Sequence, residues 1–187
     1  MYDGVKAKGM GSIPHAGGVA FRVWAPHAQR AAAIGSFNDW DGGRCPMQAE
    51  ENGCWYADVA AARVGDEYRF LLTTAQGALA RIDPYSREVT HSVGNAIVHD
   101  PSFDWEDDGF QLAPWNELVI YELHVGTFNE EEQADNRPGQ FDSASDRLGH
   151  LQKLGINVIQ IMPVAEFAGA RSWGYNPSHI FSVETAY

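Results

Sequence analysis

The sequence predicts two folded parts: an all-β antiparallel sandwich in residues 1–103 and a β-α-β segment in residues 117–187. Three observations lead there. Short apolar runs alternating with period two fill the first hundred residues, each closed by a turn signal. An acidic stretch without any period follows at 104–116 and reads as a linker. Two nearly continuous apolar runs then flank one segment of helical spacing.

In chain order, Val19–Trp24 (VAFRVW) sets Phe21 and Val23 on one face and Arg22 and Trp24 on the other. Trp55–Val59 alternates as well, and in Glu67–Leu72 the residues Tyr68, Phe70 and Leu72 share a face. Turn signals separate them: Phe37–Gly43 (FNDWDGG), Glu51–Gly53, Gln76–Gly77 and Asp83–Pro84. About seven short strands fit such spacing. Leu118–Val125 (LVIYELHV) reads as a strand covered on both faces. A polar loop through Glu130–Glu132 and Arg137–Gly139 leads to Asp142 at a helix N-cap. Ala144, Leu148 and Leu151 recur at helical spacing, and Gly155 marks the stop. Ile156–Met162 is the second buried strand, ended by Pro163.

Thirteen Lys and Arg against 25 Asp and Glu give a net charge of −12. That balance argues against nucleic acid and anionic membrane surfaces as partners, because both need a basic footprint. No apolar run is long enough to span a bilayer, and residues 1–13 lack the apolar stretch of a secretory signal. Cys45 and Cys54 are too few for a disulfide framework, so a reducing cytoplasm is the expected compartment. With no His pair beside them a zinc site is not expected, nor is any other metal or cofactor.

Taken in order, the blocks Phe21–Pro26 (FRVWAP), Gly35–Trp40 (GSFNDW), Tyr68–Phe70 (YRF) and Asp83–Pro84 resemble the carbohydrate-binding module of family forty-eight. Val119–Phe128 (VIYELHVGTF), Leu154–Asn157 (LGIN), Ile161–Val164 (IMPV) and Ser172–Pro177 (SWGYNP) resemble the start of the catalytic barrel of glycoside hydrolase family thirteen, the α-amylase superfamily. The resemblance implies an immunoglobulin-like sandwich followed by the first βαβ portion of an incomplete (β/α)8 TIM barrel. It also implies a retaining enzyme acting on α-1,4 or α-1,6 glucosyl linkages, with a branching enzyme and a trehalohydrolase as the two leading types. The stretches His124–Phe128 and Met162–Val164 lean toward the trehalohydrolase, whereas Asn176-Pro177 departs from its pattern.

Length bears on chemistry. A barrel of this kind needs ~250 residues and eight strands, but only 70 residues run from Leu118 to Tyr187. The family's catalytic carboxylates, which work about 5 Å apart in a retaining mechanism, lie at the ends of the fourth, fifth and seventh strands. No catalytic residue is therefore assigned to this chain, which is expected to be inactive alone. Glu122 and His124 share a strand face pointing into the barrel as a structural pair. Glu166, in the loop after the second strand, reads as a solvated or ion-paired carboxylate.

Two sets of binding residues are implied. In the family the Tyr of the Gly-Tyr motif stacks on the sugar beside the scissile bond, which places Tyr175 against substrate, with Trp173, Asn176 and His124 near it. In glycogen-binding modules two Trp residues form a platform beside a basic residue and an Asn. Trp40 matches the first Trp, Arg69 the basic residue and Asn95 the Asn, whereas Ala78-Leu79-Ala80 stands where the second Trp is expected. Its loss removes about 1–3 kcal/mol of stacking, or ~10–100-fold in affinity. The implied partners are α-glucans, namely glycogen, starch and maltooligosaccharides. Two other readings stand beside this one: a standalone glucan-binding module with a vestigial barrel tail, and a sandwich whose Trp40 and Trp55 only pack against the barrel. Because two parallel strands and one helix leave Val/Ile-rich faces uncovered, those faces are expected to rest on the sandwich, to self-associate, or to be disordered.

Overall fold

The computed structural model describes residues 6–130, 137–169 and 171–187; Glu131 and Glu132 of the acidic loop lie outside the described residues. The chain divides into two compact units, residues 1–101 with His179–Ser182, and residues 102–178 with Val183–Tyr187.

The first unit is a β-sandwich. One sheet has the order β1 (Gly11–His15), β2 (Gly18–Trp24), β5 (Cys54–Val59), β4 (Gln48–Ala49); the other runs β3 (Arg30–Gly35), β6 (Glu67–Thr74), β7 (Gly77–Arg81), with β8 (Ala96–Ile97) also on β6. All of these pairs are antiparallel. Among the described residues that makes eight strands, close to the about seven expected; β4 and β8, two residues each, are too short to leave a period in the sequence.

Alternation fixes which side chains go inside. Val19, Phe21 and Val23 of β2 meet Tyr68 and Phe70 of β6 in one core, while Trp24 stays well exposed. Phe21 packs edge-on to Tyr68 at 5.0 Å and Tyr68 edge-on to Phe70 at 5.8 Å, each contact worth about 0.5–1.5 kcal/mol beyond area burial. Trp55 packs against this same core and donates its indole N–H to the Ala25 carbonyl at 3.1 Å.

In the second unit β9 (Ile120–Leu123) and β10 (Val158–Ile161) pair in parallel, with Ile120 opposite Val158. Among the described residues three short helices lie between them in sequence: α1 (Val125–Phe128), α2 (Phe141–Ser145) and α3 (Leu148–Lys153). Both strands are shorter than their apolar runs; β9 ends early because Val125 turns into α1 and is buried there. The single expected helix is split in two. Its N-cap is Gln140, and Asp142 falls in the first turn instead, where a carboxylate suits the helix's positive end. Ser145 Oγ donates back to the Phe141 carbonyl at 2.9 Å, a local bond of the kind that makes Ser- and Asp-rich segments poor helix interiors. The stop at Gly155 holds: its N–H reaches the Gln152 carbonyl and that of Ile156 reaches Leu151, closing α3 in a Schellman motif. Asn157 then starts the sheet, accepting from the Val119 N–H at 2.7 Å and donating to the Glu117 carbonyl at 2.9 Å. Ile120 and Ile161 remain about half exposed. The last two strands, β11 (Ala165–Phe167) and β12 (Pro177–Val183), pair with each other. No helix among the described residues is long and apolar enough to cross a membrane.

Candidate functional site

On the sandwich, the outward face of the β3-β6-β7 sheet carries the first candidate set. Inward Tyr68 and Phe70 force Glu67, Arg69 and Leu71 outward on β6. The loop after β3 supplies Trp40. Gly35 is obligatory there, because a side chain on it would collide with the Glu67 carbonyl. Asn38 is buried and pegs the loop. Its Oδ1 accepts the Gly35 N–H at 2.9 Å, and its Nδ2 donates to the carbonyls of Ala33 at 3.0 Å and Asp41 at 3.3 Å. Asp39 and Trp40 follow with φ of 56° and 61°. Two consecutive non-glycine residues in the left-handed region, one of them a Trp, store about 1–3 kcal/mol each and mark a conformation the surroundings impose. Trp40 is 39% exposed.

Arg69 and Asn95 meet directly. Arg69 Nε donates to Asn95 Oδ1 at 2.6 Å, and its Nη2 donates to the carbonyls of Val93 at 3.1 Å and Gly94 at 2.7 Å. Asn95 Nδ2 donates to Glu67 Oε2 at 2.7 Å. On β7, Ala80 stands opposite Leu71 and Ala78 opposite Thr73, so this strand adds no aromatic ring to the outward face.

The second candidate set surrounds a cavity of about 300 Å³ in the second unit, lined by His124, Thr127, Arg171, Trp173 and Tyr187 among others. His124 sits at the N-cap of α1. Its Nε2 is 2.8 Å from the Ser172 carbonyl. A carbonyl only accepts, so Nε2 carries the proton and Nδ1 is left to accept from Thr127 Oγ1 at 3.3 Å. Tyr187 places its hydroxyl 3.1 Å from the same Nε2. Burial, and secondarily the nearby Glu184 charge, pushes the Tyr187 hydroxyl above the usual tyrosine range.

Trp173 and Tyr175 are largely exposed on the loop between Ser172 and Asn176. Ser172 Oγ bonds to Asn176 Oδ1 and accepts the Gly174 N–H at 3.0 Å. Gly174, at φ 85°, admits no side chain because one would strike the Pro163 carbonyl. The structure thus brings His124 and Trp173 to one cavity with Asn176 tied to its rim, while Tyr175 is not among the lining residues. Tyr187 and Ser172 were not singled out from sequence. The contact between Tyr187 and His124 spans 63 positions, and Tyr187 belongs to no motif that announces it.

Glu166 differs from the sequence reading. It is buried in β11, not solvated, and its Oε2 accepts the Thr185 N–H at 2.9 Å. Glu184 accepts from Phe167 N–H at 3.1 Å and Ala186 N–H at 3.3 Å, and burial pushes its carboxyl above the usual range. Both carboxylates are occupied in holding backbone. Glu122 accepts from Gln160 Nε2 at 2.9 Å, not from His124. Among the described residues no group of three His, Cys, Asp or Glu is placed to hold a metal ion.

Residues 4–86 match carbohydrate-binding module 48, the isoamylase N-terminal domain. The matched stretch runs from before β1 to beyond β7 of the sandwich. Homologues of the chain include 1,4-alpha-glucan branching enzymes and a malto-oligosyltrehalose trehalohydrolase. The trehalohydrolase of Saccharolobus solfataricus is 32% identical over 91% of this chain and 28% of its own length. A branching enzyme of Rhizobium johnstonii is 31% identical over 94% of this chain and 26% of its own. The chain therefore spans about a quarter of the length of these relatives. Among solved structures, a candidate alpha amylase of Salmonella typhimurium aligns with TM-score 0.78 and 33% identity over 97% of this chain and 29% of its own. A pullulanase of Anoxybacillus sp. LM18-11, complexed with maltotriose, shares the fold with TM-score 0.76 at 22% identity, over 100% of this chain and 30% of its own.

Proposed function

We propose that the chain is the glucan-recognising front of an α-amylase-superfamily enzyme that cleaves or transfers α-1,4 or α-1,6 glucosyl linkages by a retaining mechanism. Trp40 offers a ring face to the C–H patches of a glucose unit, while Arg69 and Asn95 supply hydrogen bonds to its hydroxyls. The observation that carries this reading is the direct Arg69–Asn95 bond on the outward sheet face of a carbohydrate-binding module 48 domain. The branching-enzyme and trehalohydrolase relatives support an α-glucan such as glycogen, starch or a maltooligosaccharide as the partner.

In the same reading the parallel β9 and β10 are the first two strands of the (β/α)8 barrel. His124, Trp173, Tyr175 and Asn176 then stand at the end of those strands, where barrel active sites assemble. His124 anchors the substrate loop through the Ser172 carbonyl. Glu166 and Glu184 accept from backbone N–H groups, and the resemblance carries the carboxylates of double displacement on later barrel strands, which supports a chain that is inactive alone. The free thiols of Cys45 and Cys54 fit the cytoplasm.

The test is maltoheptaose titration into the chain and into Trp40→Ala, alongside a turnover assay on maltodextrin. Binding lost in Trp40→Ala with no turnover is the expected outcome. Turnover at rates comparable with intact amylolytic enzymes contradicts the assignment of catalysis to absent strands. Equal binding by both proteins contradicts the sandwich site.

A further inference from the structure

We infer that Glu67 is a positioning residue of the glucan site on the sandwich, fixing the amide of Asn95 and, through it, the guanidinium of Arg69; the inference rests on the reading of that face as the glucan site. Three facts carry it. Arg69 Nε can only donate, so the Asn95 atom 2.6 Å away is its oxygen. A carboxylate only accepts, so the Asn95 atom 2.7 Å from Glu67 Oε2 is its nitrogen. The orientation of the Asn95 amide is thus dictated from both sides.

The consequence reaches the ligand. With Nε and Nη2 engaged by Asn95 and the Val93 and Gly94 carbonyls, Arg69 is left with Nη1 to offer a hydroxyl. Asn95 keeps one amide N–H. Without Glu67 only the Arg69 bond orients the Asn95 amide, and any flip would set its N–H against the Arg69 N–H, turning the guanidinium away. Glu67 is itself held: its own N–H reaches Ser36 Oγ at 3.2 Å, and its carbonyl is packed against Gly35. Two strands and the Trp40 loop therefore converge on one hydrogen-bond relay, Glu67 to Asn95 to Arg69.

Calorimetric titration of maltoheptaose into the 187-residue chain tests this, using Glu67→Ala, Glu67→Gln and Trp40→Ala. Gln keeps an oxygen that accepts from Asn95, so Glu67→Gln binds within about twofold of the unaltered chain, whereas Glu67→Ala weakens binding about tenfold. Both keep the thermal midpoint of the parent, because Glu67 is only half-buried. Rescue by Gln separates positioning from general loss of structure. If Trp40→Ala abolishes binding while Glu67→Ala binds as the parent does, this inference fails and the glucan site stands. If Glu67→Gln is as weak as Glu67→Ala, positioning is refuted. If the unaltered chain does not bind, both the site and the relay are refuted.

Discussion

The Tyr68 hydroxyl donates to Asp83 Oδ2 at 2.5 Å inside the sandwich, where neither residue is exposed. Asp83 Oδ1 accepts the Tyr85 N–H at 2.8 Å. One buried carboxyl thus ties β6 to the turn beginning at Asp83-Pro84. Burial pushes the Asp83 carboxyl above its ordinary range, against the lowering effect of the Tyr68 hydroxyl and the Tyr85 N–H. Burial first, and the Asp83 charge second, push Tyr68 well up.

Tyr68→Phe removes the hydroxyl and leaves a buried carboxyl short of a donor, which costs about 1–3 kcal/mol at pH 7. The cost depends on pH. Asp83's contribution to stability is full below its unfolded value and declines as pH rises through its raised folded value. Losing the Tyr68 hydroxyl raises that folded value further. The deficit of Tyr68→Phe against the parent therefore grows with rising pH and shrinks toward pH 4. Urea unfolding of both proteins at pH 4 and pH 7 checks this, and a deficit larger at pH 4 contradicts it.

Asn38→Ala takes out three hydrogen bonds at once and orphans the Gly35 N–H and the Ala33 carbonyl. A loss of about 2–4 kcal/mol in chemical unfolding is expected. Because the peg sets the left-handed Asp39 and Trp40, maltoheptaose affinity should fall too, even under conditions where the variant is fully folded. Unchanged affinity would separate the loop geometry from binding.

Ala80→Trp adds a ring to the outward face of β7 opposite Leu71. If the missing second aromatic is what limits affinity, maltoheptaose binding tightens by ~10–100-fold. A Kd that does not move would show that this strand is not part of the ligand face.

The fold was most readable where one face is buried. Phe21, Val23, Tyr68 and Phe70 alternate because a core waits on one side, and the sequence shows it. The pairs β4 and β8 carry no such period in two residues. The split of α2 from α3 falls just after Ser145, whose hydroxyl bonds back to the Phe141 carbonyl, a local bond that residue spacing does not reveal. Among the proposed glucan residues, Trp40 and Arg69 stand in the quoted blocks, and Asn95 follows from the resemblance alone. Glu67 was not legible, because its role appears only when β6 and the residue before β8 are hydrogen-bonded side by side. Glu166 was misread because a loop carboxylate is usually wet, whereas this one closes a backbone turn at Thr185.

Ile120 and Ile161, half exposed on β9 and β10, leave apolar strand surface open. Self-association through these strands is expected at high concentration, with light scattering that rises with concentration and is suppressed by Ile120→Lys with Ile161→Lys. A concentration-independent monomer would mean the surface is otherwise satisfied.

We propose that the Trp40 ring, on its strained loop, and the bonded Arg69–Asn95 pair grip α-glucan. Electrophoresis of the chain through gels containing soluble glycogen measures this directly. Marked retardation that disappears in Trp40→Ala is the predicted result; migration unaffected by glycogen would contradict the account.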